Sequence, residues 1–137
     1  IMVIEQALQL HLPECDRPFE TLRRLGGLEI AALTGCLLGA AANGLPVIVD
    51  GFIVGAAAAV ALALAPQAKN WMLFSHQSAE GGHALALLAM EVNPLLRLRM
   101  RLGEATGALV AMQMIDLSLA LYHQMASFQS AGVSNKE

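Results

Sequence analysis

Charge is scarce in this chain. Asp, Glu, Lys and Arg make up 14% of its 137 residues, the formal net charge is −3, and no basic stripe runs along any segment. That argues against nucleic acid as a partner, because neutralising phosphates takes clustered Lys and Arg. The one basic group, Arg97, Arg99 and Arg101, lies beside Glu104. It reads as a solvated face or a partner for nearby acids, with anion binding as its other use. Cysteine is almost missing as well. Cys15 and Cys36 fall in different segments without metal-ligand spacing, which suits two thiols in a reducing cytoplasm better than a disulfide framework. Apolar residues reach 56%, yet no unbroken run supplies the roughly twenty residues a membrane span needs. The stretch from Ile30 to Val49 is interrupted by Asn43, Gly44 and Pro46, and the run from Gly51 to Ala65 is short. Much of the apolarity is Ala and Gly, which suits closely packed helices in a core. The opening segment, Ile1 to Pro13, has Glu5 and no basic region ahead of an apolar run, so no export signal is expected there. These features predict a cytoplasmic, non-membrane protein with one domain over 1–129 and a polar tail over 130–137.

What is present is a regular series of elements. Val3, Ile4, Ala7, Leu8 and Leu10 give Met2 to Leu12 the spacing of a short amphipathic helix stopped at Pro13. Asp16 ahead of Arg17-Pro18 predicts a capped helix start, with the stop at Gly26-Gly27. Leu28 to Ala42 is small or aliphatic on every side. It reads as a helix buried nearly all round and ended by Asn43-Gly44. Pro46 to Val49 has the β-branched continuity of a buried parallel strand, Phe52 to Ala65 is helical in length, and Trp71 to Phe74 is a second strand. Strand, helix, strand is a βαβ unit, so the expected fold is α/β: a parallel, Rossmann-like sheet layered with helices. A short helix follows over Ala84 to Glu91, a helical turn or two over Leu95 to Leu102, and a long terminal helix over Thr106 to Phe128.

In such sheets ligands collect beyond the carboxyl ends of the strands. That places candidate binding residues at Asp50 and Gly51, and at His76 and Ser78 within the segment Ser75 to Gly82. Downstream, Gly103-Glu104-Ala105-Thr106-Gly107 sets one acid between two glycines just before the long helix. A carboxylate in a water-poor pocket gains proton affinity and can act as a base towards a weakly basic nitrogen or a hydroxyl. Glycines at 103 and 107 keep the space beside the acid clear. The same spacing also fits ordinary capping of a helix start, as do Asp50 and Ser78 before their own helices. His76, Glu80 and His83 invite a metal reading, but no separate ligand motif joins them, and no metal is expected.

Three motifs in one order resemble a known family: Val47-Ile48-Val49-Asp50-Gly51-Phe52-Ile53, Ser75-His76-Gln77-Ser78-Ala79-Glu80-Gly81-Gly82-His83, and Arg101-Leu102-Gly103-Glu104-Ala105-Thr106-Gly107-Ala108. Leu25 to Ala32, Pro94-Leu95-Leu96 and Met125 to Phe128 add to the match. The chain resembles the C-terminal part of nicotinate-nucleotide:5,6-dimethylbenzimidazole phosphoribosyltransferases, which make the lower-ligand nucleotide of cobalamin.

The resemblance implies transfer of 5-phosphoribose from nicotinate mononucleotide to dimethylbenzimidazole without a cofactor. Glu104 matches the general base, and Leu102 a residue lining the base pocket. Asp50 and Gly51 match a pair beside the nucleotide, and Ser78 a serine near the phosphate. It also implies a homodimer, with the terminal helix the expected contact. Two departures stand out. Ala105 replaces a glycine usual after the base, which adds a methyl group near the site. Family chains are also much longer, and their Gly-Glu-Met-Gly-Ile-Gly-Asn-Thr-Thr motif, a nucleotide-binding lysine and the N-terminal wall of the base pocket have no counterpart here. The expectation is therefore a sheet incomplete at its N-terminal side, in a fragment, a truncated gene product or one half of a split enzyme. The alternative is a catalytically incomplete fragment or a binding or regulatory remnant of the family that needs a second polypeptide.

Overall fold

Val47-Ile48-Val49 and Met72-Leu73-Phe74 run parallel, with Val47 opposite Met72, Ile48 opposite Leu73 and Val49 opposite Phe74. The computed structural model describes residues 1–134. Its order is α1 (Met2–His11), α2 (Pro18–Leu25), α3 (Leu28–Ala42), β1 (Val47–Val49), α4 (Phe52–Leu64), β2 (Met72–Phe74), α5 (Gly81–Ala89) and α6 (Thr106–Gln124). Short 3-10 turns cover Leu12–Glu14 and Pro66–Trp71. The expected βαβ unit is thus β1–α4–β2. The fold is α/β and mostly helical around a small parallel sheet. Of the polar tail expected over 130–137, residues 135–137 lie outside the described residues.

The core sits between α3, α4 and the sheet. Ala57, Ala58 and Ala61 on α4 are fully buried with Leu37, Val49, Ala68, Met72, Phe74 and Leu87. Alanine there lets α3 and α4 approach closely, and Thr34 uses the proximity: its hydroxyl donates to Ile30 O within α3 at 2.8 Å and contacts Ala57 O on α4 at 3.3 Å. Across the core, Lys69 Nζ donates to Met90 O at 2.9 Å and Glu91 O at 2.7 Å. It thereby satisfies carbonyls that the end of α5 leaves open.

Four local expectations are corrected. Helix α3 buries only Thr34 and Leu37 among its residues, because one face packs on α4 while Cys36 and Gly39 point outward. Asp16 does not cap α2; Arg17 holds that position without a side-chain cap, and Asp16 pairs with it at 3.6 Å on the surface. Beta strand β1 is fully buried only at Val49, Val47 and Ile48 being half-buried. Leu95 to Leu102 contains no helical turn. Its donors at Leu95 and Leu96 go to Phe74 O and Ser75 O, and Leu96 O accepts from Gln77 N–H. This segment runs as a rudimentary third strand beside β2, with a parallel bridge between His76 and Leu96. The backbone pairing replaces the i to i−4 pattern a helix would need.

Candidate active site

Both strands of the sheet end in polar residues that turn into one cleft. Beyond β1, Asp50 leaves the strand and Gly51 starts α4. Beyond β2, the wall Ser75 to Ala79 is held on its outer side at alternate residues, Gln77 N–H donating to Leu96 O and Ala79 N–H to Met100 O, each at 2.9 Å. The loop 101–105 closes the far end. The resulting cleft, about 500 Å³, is lined by Asp50, Gly51, Phe52, His76, Ser78, Arg101, Leu102, Glu104 and others. All six candidate residues, Asp50, Gly51, His76, Ser78, Leu102 and Glu104, meet there.

Asp50 does not cap the helix that follows it. Gly51 is the N-cap residue of α4, and the Asp50 carboxylate instead accepts the Ala108 N–H at 2.8 Å. It therefore caps the first turn of α6 from across the cleft, where the positive end of that helix favours a carboxylate. One oxygen is spent in this way, and the residue still lines the cleft.

Glu104 sits on the far bank. Its φ is 54° and that of Ala105 is 61°, two successive left-handed residues that are not glycine. Each costs free energy on the order of 1 kcal/mol, and such strain collects where a side chain must be presented at a site. The carboxylate makes no capping hydrogen bond to α6; Ala105 is the N-cap residue, and the Thr106 hydroxyl donates to Gly103 O at 2.7 Å. The capping reading of Glu104 therefore has no hydrogen bond behind it. Glu104 and Leu102 are both exposed, Leu102 to 76%.

The glycine reading needs correction as well. Gly103, at φ 81° with open space around it, is required by its backbone. Gly107 serves a different residue: a Cβ there would collide with the His76 ring at Nδ1 and Cε1. The missing side chain thus makes room for an imidazole and not for the acid.

His76 and His83 are buried histidines with different bonding. The Ser75 hydroxyl donates its one proton to Asp50 O at 2.5 Å. The 3.2 Å contact between Ser75 Oγ and His76 Nδ1 is then assigned to a proton on Nδ1, leaving Nε2 as an acceptor. In His83 it is Nδ1 that accepts, from the Ser78 N–H at 2.9 Å. Burial, the main cause, and the neighbouring His76 hold the His83 ring below its usual pKa, partly opposed by Asp50. Ser78 does not cap α5; Glu80 is the N-cap residue, and Ser78 Oγ accepts the Glu80 N–H at 3.2 Å in the turn before it. Among the described residues no group of three or more His, Cys, Asp or Glu is placed to hold a metal ion. Sequence reasoning missed Phe52 and Arg101 as cleft residues and gave His83 no role beyond a rejected metal site.

The fold and the cleft together define an α/β protein with a polar-lined cleft beyond the carboxyl ends of two parallel strands. A family model described as phosphoribosyltransferase matches residues 1–133. A nicotinate-nucleotide–dimethylbenzimidazole phosphoribosyltransferase of Chlorobium chlorochromatii is 50% identical over 99% of this chain, and that of Xanthomonas euvesicatoria 53% over 97%. Among solved structures, CobT from Thermus thermophilus superposes with a TM-score of 0.81 at 39% identity, over 89% of this chain and 36% of that one. The chain belongs to the nicotinate-nucleotide–dimethylbenzimidazole phosphoribosyltransferase family. It spans about 38% of the length of the curated relatives it matches.

Proposed function

We propose that this chain carries the base-activating bank of a phosphoribosyl transfer from nicotinate mononucleotide to dimethylbenzimidazole, in cobalamin lower-ligand assembly. The observation that carries the reading is Glu104: an acid presented into the cleft by two left-handed residues, free of any capping bond, facing the strand-end residues Asp50 and Ser78. In the reaction the bond between the anomeric carbon and the nicotinate nitrogen breaks, and nicotinate leaves with its electron pair. A ring nitrogen of dimethylbenzimidazole forms the new bond. As it does so, positive charge develops on the azole, and Glu104 takes the proton from the second ring nitrogen. Leu102 supplies an apolar wall for the methylated ring, and Asp50 with Gly51 meets the ribose. His76 offers Nε2 as an acceptor for a ribose hydroxyl, and Ser78 meets the phosphate.

A second reading is favoured by the exposure of Leu102 and Glu104: this chain works together with further polypeptide that covers them. Its cellular setting is the cytoplasm, a compartment suited to Cys15 and Cys36 as free thiols. Among the described residues, no helix is long and apolar enough to cross a membrane. Two copies pair through α6, whose Leu109, Met112, Leu117 and Leu121 face outward while only Gly107 and Ala111 are buried.

Glu104→Gln tests the assignment. Product formation is measured with the chain alone and mixed with an N-terminal family fragment. Transfer by the unmodified chain that falls by at least about a hundredfold in the variant, with nicotinate mononucleotide binding retained, is the expected result. Undiminished transfer by Glu104→Gln would overturn it.

A further inference from the structure

The Ser78 turn borders two cavities. Ser78 lines both the main cleft and a smaller one of about 240 Å³ on its other side, which Arg97 and Arg99 also border. The 96–100 segment ties the wall at Ser75, Gln77 and Ala79, and makes no backbone bond to Ser78. The Ser78 amide points the other way, to His83 Nδ1 at 2.9 Å. His83 is 1% exposed, so that amide has no water to fall back on. The ring itself is seated with little slack. A Cβ at Gly55 on α4 would approach His83 Nε2 to 3.1 Å, and the Phe52 ring, part of the cleft lining, packs on it with centroids 5.8 Å apart.

From this geometry we infer that His83 is a positioning residue for phosphate binding: its Nδ1 lone pair fixes the Ser78 backbone, and through it the Ser78 hydroxyl, in the cleft. The inference rests on the proposed role of Ser78 at the phosphate. His83 touches no substrate and acts only through Ser78. Protonation removes the function, since an imidazolium has two N–H donors and no acceptor. The titratable groups facing the ring are His76 from the end of β2 and Asp50 from the end of β1; α4 brings only Gly55 and Phe52, and Glu80 precedes it at the start of α5. Burial and His76 both favour the neutral, accepting form, so the acceptor is lost only as pH falls below about 6.5.

The experiment follows the Ser78 amide and the His83 ring by NMR against pH in the full chain. It also measures affinity for nicotinate mononucleotide, with inorganic phosphate as a second probe. The Ser78 amide should titrate with the same midpoint as His83, below 6.5, and the response should vanish in His83→Asn, whose side-chain oxygen can replace Nδ1 as acceptor. Nucleotide affinity should fall about tenfold in His83→Leu and stay within about threefold in His83→Asn. A Ser78 amide indifferent to His83, or equal losses in both variants, would overturn the inference. If the unmodified chain binds neither probe at any pH, the phosphate role of Ser78 fails, while the amide titration still decides whether His83 holds the turn.

Discussion

Asp50 does two jobs that different substitutions can separate. Its carboxylate caps α6 through the Ala108 N–H and lines the cleft where the ribose is proposed to lie. Asp50→Ala should lower stability by about 1 kcal/mol, the usual cost of a lost cap. Asp50→Asn, which keeps an oxygen acceptor, should lose only a few tenths of that in urea unfolding. If the charge also serves the ribose, Asp50→Asn should still weaken nucleotide binding, so equal affinity in Asn and wild type would confine the residue to capping. His83 gives stability its own pH dependence. Its folded pKa lies below the unfolded value of 6.5, so within that window the unfolded chain binds more protons. Stability is therefore complete above about pH 6.5 and declines as pH falls towards the folded value. In His83→Asn the same unfolding series should be flatter between pH 7 and 5.

Elements were legible in the sequence wherever period and punctuation agreed. Gly26-Gly27, Asn43-Gly44 and Pro66 bound helices as expected, and Gly44 takes the left-handed φ of 67° that a helix stop calls for. The segment after Pro94 was misread because leucine-rich stretches suggest helix. Yet Leu96, Leu98 and Met100 alternate with Arg97, Arg99 and Arg101, which is the period of a strand. The partners that settled it, Phe74 O and Ser75 O, lie some twenty residues away. The candidate site followed the same rule. Strand-end residues and the Gly103-Glu104 loop could be picked out from local pattern, whereas the bonds of Asp50 to Ala108 and of His83 to Ser78 depend on how elements dock. Lys69 is another case: nothing near it predicts that it closes α5. Replacing it with Ala should cost about 1 kcal/mol by urea unfolding, and faster amide exchange should be confined to the last turn of α5.

For the whole molecule, the balance of buried and exposed apolar surface points to association. Helix α6 buries Gly107 and Ala111 and leaves most of its large side chains outward, and α1 exposes Met2, Val3, Ile4, Leu8 and Leu10. Contiguous apolar patches of this kind are unusual on a monomer. Sedimentation at micromolar concentration should therefore show a dimer, and Leu117→Glu with Leu121→Glu on α6 should return it to a monomer. A monomeric unmodified chain would sink the pairing through α6.

The tie between Asp50 and Ala108 also bears on how the chain comes together. That bond joins residues 58 apart in sequence, whereas Ser75 reaches Asp50 over 25. Closing the longer loop costs slightly more chain entropy, about 0.6 kcal/mol per doubling. What it gains is the docking of a single, largely exposed helix. The β1–β2 pairing itself makes no use of α6, and the bank that carries Glu104 is held to the end of β1 by this latch. Losing that latch would free the start of α6 from the end of β1 while the β1–β2 pairing is kept.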